Sequence, residues 1–147
     1  MKFNFLRLPS EPSRAFPQRH SVLYPIIPIR IINPNDPNKL IDIRAMIDSG
    51  ADVSIFPGSL GRVIGLNIEN DKIEIIKGIA GQEIITYLHE IIFEIGGWKY
   101  PSITCFSSDE ITFPVLGRNG FFDLFEIKFY FRKEIIELKP KVDPIQS

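Results

Sequence analysis

The chain has 147 residues, with 17 Lys and Arg against 18 Asp and Glu, and a formal net charge of −1; with no basic block, nothing in it predicts electrostatic binding to nucleic acid or to an anionic membrane. That length is one domain's worth, enough to bury a core and short for two. Cys105 is the single cysteine, which excludes an internal disulfide and fits a reducing compartment; no run approaches the ~18 apolar residues of a membrane span, Asn4 and Arg7 break the apolar stretch a signal peptide needs, and the expectation is a cytoplasmic protein.

Residues 1–21 hold Pro9, Pro12 and Pro17 among Ser, Arg and Gln, which predicts an extended N-terminal arm. From Tyr24 the chain turns β-rich. Ile26, Ile27, Ile29, Ile31 and Ile32 form a β-branched run that stops at the turn-forming residues 33–38. Ile41, Ile43, Ala45 and Ile47 then alternate with Asp42 and Arg44, the pattern of a half-buried strand, and this strand delivers Asp48. Pro57 to Leu66 predicts one short helical turn, with Pro57 near its start and Gly65 near its end. Segments 72–77 and 82–88 flank Gly78, Ile79, Ala80 and Gly81 as one hairpin; 89–95 and 98–106 form another, turning at Gly96 and Gly97. A second short helix is expected over Phe121–Phe125, then strands at 126–131 and 134–138 and a tail over 139–147. Many short strands with one or two short helices predict an all-β, small closed barrel-like domain over residues 22–138.

Asp48 carries the strongest chemical signal. An apolar strand leads into it, Ser49 and Gly50 turn the chain at once, and a second apolar run follows. A carboxylate at such an apex loses water and needs hydrogen bonds to stay charged. Burial raises its pKa and donors lower it, so the setting suits an acid–base group. Elsewhere the signals are weak. His20 and His89 lie far apart, as surface or edge residues, and no metal-ligand spacing occurs. Cys105 sits in an apolar strand without a nearby His and reads as core. Trp98, Tyr100 and the cluster Phe121, Phe122, Phe125, Phe129 and Phe131 read as packing residues.

Asp48-Ser49-Gly50-Ala51 resembles the active-site signature of aspartic proteases. Gly78-Ile79-Ala80-Gly81 follows Asp48 by thirty positions, where retropepsin-like (retroviral-type) members carry a glycine-rich flap tip. Val115-Leu116-Gly117-Arg118-Asn119 is similar to the second signature of that family. The resemblance spans roughly residues 22–138 and implies an acid-protease fold in which two carboxylates about 3 Å apart share one proton. One then acts as base on a water while the other, protonated, polarises the scissile carbonyl. Asp48 is in the only Asp-Ser-Gly of the chain, since Asp71 and Asp109 lack the Ser-Gly that follows. The dyad therefore demands a C2 homodimer in which Asp48 meets its symmetry mate.

The resemblance also implies roles for the neighbours. Ser49 would hydrogen-bond across the dimer, Gly50 would let substrate backbone approach, and Ala51 removes a hydroxyl that keeps the aspartate acidic in relatives. Arg118 would pair with Asp52 as a partly buried, bidentate structural ion pair. Gly78, Ile79, Ala80 and Gly81 would close over substrate and exclude water. The apolar chain ends, 2–8 and 134–138, lack an evident partner in one small barrel and are the expected interface strands. The reading is a homodimeric aspartic endopeptidase acting on polypeptide, with no cofactor and no metal. Its alternative is a catalytically inactive retropepsin-like dimerisation or peptide-binding module, and a weaker one is an unrelated barrel with a coincidental Asp-Ser-Gly-Ala.

Overall fold

The computed structural model describes residues 1–70, 72–108, 111 and 113–146; Asp71, Asp109, Glu110, Thr112 and Ser147 lie outside the described residues, and with them the last position of the expected tail. In chain order the strands are β1 (Lys2–Asn4), β2 (Leu6–Pro9), β3 (Ser21–Tyr24), β4 (Ile26–Asn33), β5 (Asp36–Ile47) and β6 (Ile55–Pro57). Helix α1 (Gly58–Val63) follows, then β7 (Ile73–Lys77), β8 (Glu83–Ile95), β9 (Trp98–Ser107), β10 (Val115–Leu116), β11 (Phe125–Tyr130) and β12 (Ile135–Pro140). The largest sheet runs β4-β5-β10-β6-β9-β8-β7, and an added pairing of β4 with β8 closes it on itself. The expected all-β, closed barrel-like class is observed, with one short α-helix.

Local chemistry explains where elements begin and end. β4 stops at Asn33 because its side-chain oxygen accepts the Asn35 N–H at 2.9 Å, an Asx turn that competes with the ladder. Its amide nitrogen donates to the Ile64 carbonyl, also at 2.9 Å, tying the turn to the end of α1. The turn is tighter than residues 33–38 predicted, since β5 already starts at Asp36. Helix α1 stops at Val63, and Gly65 follows with φ +80°, a left-handed conformation that glycine adopts without strain. Residues 82–88 and 89–95, expected as two strands, are one strand, β8. No Gly or Pro interrupts it, so β7 covers its first half and β9 pairs from Thr86 to Ile95.

The expected helix over Phe121–Phe125 is absent; the chain makes turns there and enters β11 at Phe125. Gly120 has φ +104°, which no helix accommodates. The Phe122 and Asp123 N–H groups instead reach five residues back, to the Gly117 and Arg118 carbonyls at 3.2 Å each.

The core fills the closed sheet. Ile27, Ile31, Phe56, Phe93, Phe106 and Phe121 are fully buried, each contributing about 1.5–3 kcal/mol of transfer free energy. Phe56 meets Phe106 edge-on with ring centroids 6.0 Å apart, and Phe93 meets Phe121 likewise at 6.4 Å, the arrangement aromatic quadrupoles favour. Cys105 is buried, as expected, and burial pushes its thiol pKa up. Tyr100 packs 5.0 Å from Phe125. Three expected packing residues are not buried: Trp98 is 58% exposed, Phe129 46% and Phe131 64%.

The chain ends also differ from expectation. β1 pairs with β12 of the same chain, Phe3 opposite Ile136, and β12 pairs with β11. β2 pairs with β3, Leu8 opposite Val22. The ends therefore satisfy one another, and only residues 10–20 keep the irregular, Pro-bearing course predicted for the arm.

Candidate active site

Asp48 sits where β5 ends, and the backbone there is held from both sides. The Ile47 N–H donates to the Pro25 carbonyl at 2.8 Å and the Asp48 N–H to the Leu116 carbonyl at 3.0 Å. The carboxylate is half-buried, and its Oδ1 accepts the Gly50 N–H at 2.9 Å. A Cβ on Gly50 would stand 3.1 Å from that oxygen, so a side chain there would crowd the carboxylate. The turn closes with the Ala51 N–H donating to the Asp48 carbonyl at 3.2 Å.

The support comes from a distant segment. β10 is inserted between β5 and β6, parallel to the first with Leu116 opposite Ile47, and antiparallel to the second with Val115 opposite Ile55. Immediately after it, Gly117 passes so close to the 51–53 backbone that a Cβ would overlap the Val53 carbonyl. Only glycine permits that crossing. The two segments are then stitched: Arg118 N–H to Ala51 carbonyl at 2.9 Å, Asn119 N–H to Asp52 carbonyl at 2.8 Å, and Ser54 N–H to Asn119 carbonyl at 3.1 Å. Buried Ser54 accepts the Gly117 N–H on its Oγ at 3.0 Å.

Arg118 and Asp52 do come together, with Nη2 3.6 Å from Oδ1, but both side chains are exposed, at 53% and 76%. The contact is not the bidentate, partly buried pair expected. The other guanidinium nitrogen, Nη1, donates to the Ser49 carbonyl at 2.8 Å, so Arg118 braces the turn that presents Asp48. The closer partner of Asp52 is Asn119, whose Nδ2 donates to the Asp52 carbonyl at 2.9 Å and to Oδ1 at 3.1 Å. A forked pair does occur away from the site. Arg30 reaches Asp42 at 2.7 and 3.2 Å on the neighbouring strands β4 and β5, and that hydrogen bond holds the Asp42 carboxyl below its usual range.

Gly78, Ile79, Ala80 and Gly81 form the tip of the β7–β8 hairpin, as expected. The Gly78 N–H donates to the Gln82 carbonyl at 2.9 Å and the Gly81 N–H to Gly78 at 3.0 Å, while Ile79 stands fully in solvent. Among the described residues no hydrogen bond or ion pair joins this tip to the Asp48 turn. His20 is exposed; His89 is half-buried, its Nε2 2.9 Å from the Ile68 carbonyl. Among the described residues no group of three or more His, Cys, Asp or Glu is placed to hold a metal ion, and no helix is long and apolar enough to cross a membrane.

Beside Asp48 opens a cavity of about 310 Å³, lined by Phe5, Pro25, Ile47, Asp48, Ser49, Phe129 and Phe131. Its wall is apolar except for Asp48 and Ser49. Sequence reasoning missed this aromatic wall, and also Ser54 and Asn119. Ser54 carried a signal, a hydroxyl in an otherwise apolar run of Val53, Ile55 and Phe56. Asn119 lay inside the second motif without a role of its own.

Comparison with known proteins gives one kind of likeness. No family model matches the chain, and no curated protein does. Solved structures do match, among them an EIAV protease complexed with the inhibitor HBY-793, at 19% identity over 65% of this chain and 82% of that one, with a TM-score of 0.49. A likeness at that level assigns no residue a role.

Proposed function

We propose that the chain is an aspartic endopeptidase of retropepsin type, active as a homodimer and hydrolysing extended polypeptide in a reducing, cytoplasmic setting. One observation carries this reading. The two segments that hold the sequence motifs, 48–52 and 115–119, are far apart in the chain yet form one hydrogen-bonded unit around Asp48, through Asp48 N–H to Leu116 and Arg118 N–H to Ala51. A coincidental Asp-Ser-Gly-Ala gives no reason for that meeting.

In the mechanism, Asp48 of each protomer supplies one carboxyl, and the pair shares one proton because like charges so close do not both ionise. The ionised member takes a proton from water as its oxygen attacks the scissile carbonyl carbon. The protonated member gives its proton to the carbonyl oxygen, and the tetrahedral diol forms. Collapse breaks the C–N bond, with a proton passing from the dyad to the leaving nitrogen. Gly50, by its N–H bond to Oδ1, orients the carboxylate, and Arg118 and Asn119 brace the turn beneath it. Ser49 would bridge the protomers, and residues 78–81 would cover substrate. An extended peptide would bind largely through strand-like backbone hydrogen bonds.

The test is cleavage of an unfolded polypeptide by wild type and by Asp48→Asn, with and without a statine-type transition-state mimic. Cleavage that the mimic inhibits and Asp48→Asn abolishes is expected. Equal cleavage by both proteins would overturn the assignment; tight binding of the mimic without any cleavage would favour the peptide-binding module.

A further inference from the structure

Two rings of the aromatic wall beside Asp48, Phe129 and Phe131, stay largely outside the core. Phe129 lies in β11 and Phe131 in the 3-10 turn Phe131–Lys133 that follows it. Both rings lean on Phe5, at 6.1 and 5.7 Å between centroids, so the three form one patch. Phe5 is 9% exposed, whereas Phe129 and Phe131 keep 46% and 64% of their surface in solvent. Contiguous exposed aromatic surface of this sort marks an interaction site in a soluble chain.

Resting on the shared-dyad reading, we propose that this patch, and not the strands β1 and β12, is the seam between the two protomers: Phe129 and Phe131 of one copy pack on the same residues of the other around the Asp48 two-fold. Three observations lead there. First, β1 and β12 are already paired with each other, so the chain ends offer no free complementary strand pair to exchange. Second, a two-fold axis that brings Asp48 to its mate also brings everything bordering Asp48 against its own copy, because such an interface is self-complementary. Phe129, Phe131, Ile47 and Ser49 share one cavity wall with Asp48 and are therefore next to the axis. Third, Arg7 and Glu134, close to Phe5 in the chain fold, are paired with each other, so neither meets the seam as a lone ion. A central cluster of aromatic rings that excludes water is what a stable interface needs.

Sedimentation equilibrium on wild type, Phe131→Asp and Val63→Asp tests the seam. Val63 is also exposed, at 61%, but lies on α1, outside the patch. Phe131→Asp is expected to weaken dimerisation by about 100-fold or more, since one substitution strikes the seam twice, while Val63→Asp leaves it unchanged. A Phe131→Cys variant supplies a second route that does not depend on a buried charge. Cys105 is fully buried, so the new thiol is the only accessible one, and a short bis-maleimide should link two copies through it but not through Val63→Cys. If wild type and Phe131→Asp dimerise equally and no link forms at position 131, the seam lies elsewhere and the peptidase reading stands. The same result with a raised KM would assign the patch to substrate and likewise overturn the seam. A wild type that cleaves as a monomer would overturn the shared dyad itself.

Discussion

The Asp48 turn and the tip of the β7–β8 hairpin are both short, glycine-bearing loops, yet the fold treats them oppositely. The turn is tied to residues 116–119 by backbone bonds of 2.8 to 3.1 Å and by the side chains of Ser54, Arg118 and Asn119. Among the described residues the tip is closed on itself, by two bonds among Gly78, Gly81 and Gln82, and Ile73, Ile75, Ile79 and Ile85 around it are all exposed. Local opening costs little where few bonds and little buried surface are lost. On the proposed function, that difference is a division of labour between a fixed acid and a cover free to move over it, which is how an enzyme combines precise geometry with access.

Substitutions at each region test that division. Asp48→Asn removes the acid without disturbing the Gly50 bond, since an amide oxygen still accepts it. Turnover of an unfolded polypeptide should fall by about 10⁴-fold or more with the melting temperature unchanged. A comparable loss of stability would mean that the carboxylate is structural and would dissolve the comparison.

Gly117→Ala strikes the fixed region at its tightest crossing, where the new methyl meets the Val53 carbonyl. A cost of about 2–3 kcal/mol is expected from forced overlap, seen in urea denaturation as a lower midpoint. Gly81→Ala is the matched control in the cover. Nothing lies within 4 Å of a Cβ there, and only the left-handed φ of +85° opposes it, so its cost should stay near 1 kcal/mol.

Ile79→Ser tests the cover alone. Its side chain touches solvent in the free protein, so stability should not change. If the tip closes on bound peptide, kcat/KM should drop by about tenfold for the lost apolar contact. Unchanged kinetics would make the tip an ordinary hairpin turn.

The smallest effect is expected at Arg118 with Asp52. At 3.6 Å and more than half exposed on both sides, the pair should contribute no more than about 1 kcal/mol. A double-mutant cycle of Arg118→Ala and Asp52→Ala measures it, and a coupling of several kcal/mol would show a desolvated bridge that forms only in a dimer.

The strands were legible because their apolar residues alternate: Ala45 and Ile47 are buried while Asp42 and Arg44 face water, as their period of two predicts. The hairpin turns at Gly78–Gly81 and Gly96–Gly97 were legible from glycine. The misreadings share a cause, which is that pattern gives a face but not what covers it. Phe129 and Phe131 look like core in a sequence, and only the fold shows that β11 ends the sheet and leaves them outside. The helix expected at Phe121–Phe125 failed because Gly120 at positive φ starts a turn that no periodicity reveals. The meeting of residues 48–52 with 115–119 is long-range and appeared in the sequence only through resemblance.

The insertion of β10 between β5 and β6 has a consequence for how the protein is made. Synthesis delivers Asp48 early, but its bracing strand emerges only after β6, α1, β7, β8 and β9 have left the ribosome. Until then β5 and β6 have a gap where β10 belongs, and long-range closure of this kind is slow compared with hairpin formation. A nascent chain thus carries its acid in an unbraced loop and acquires a defined geometry last.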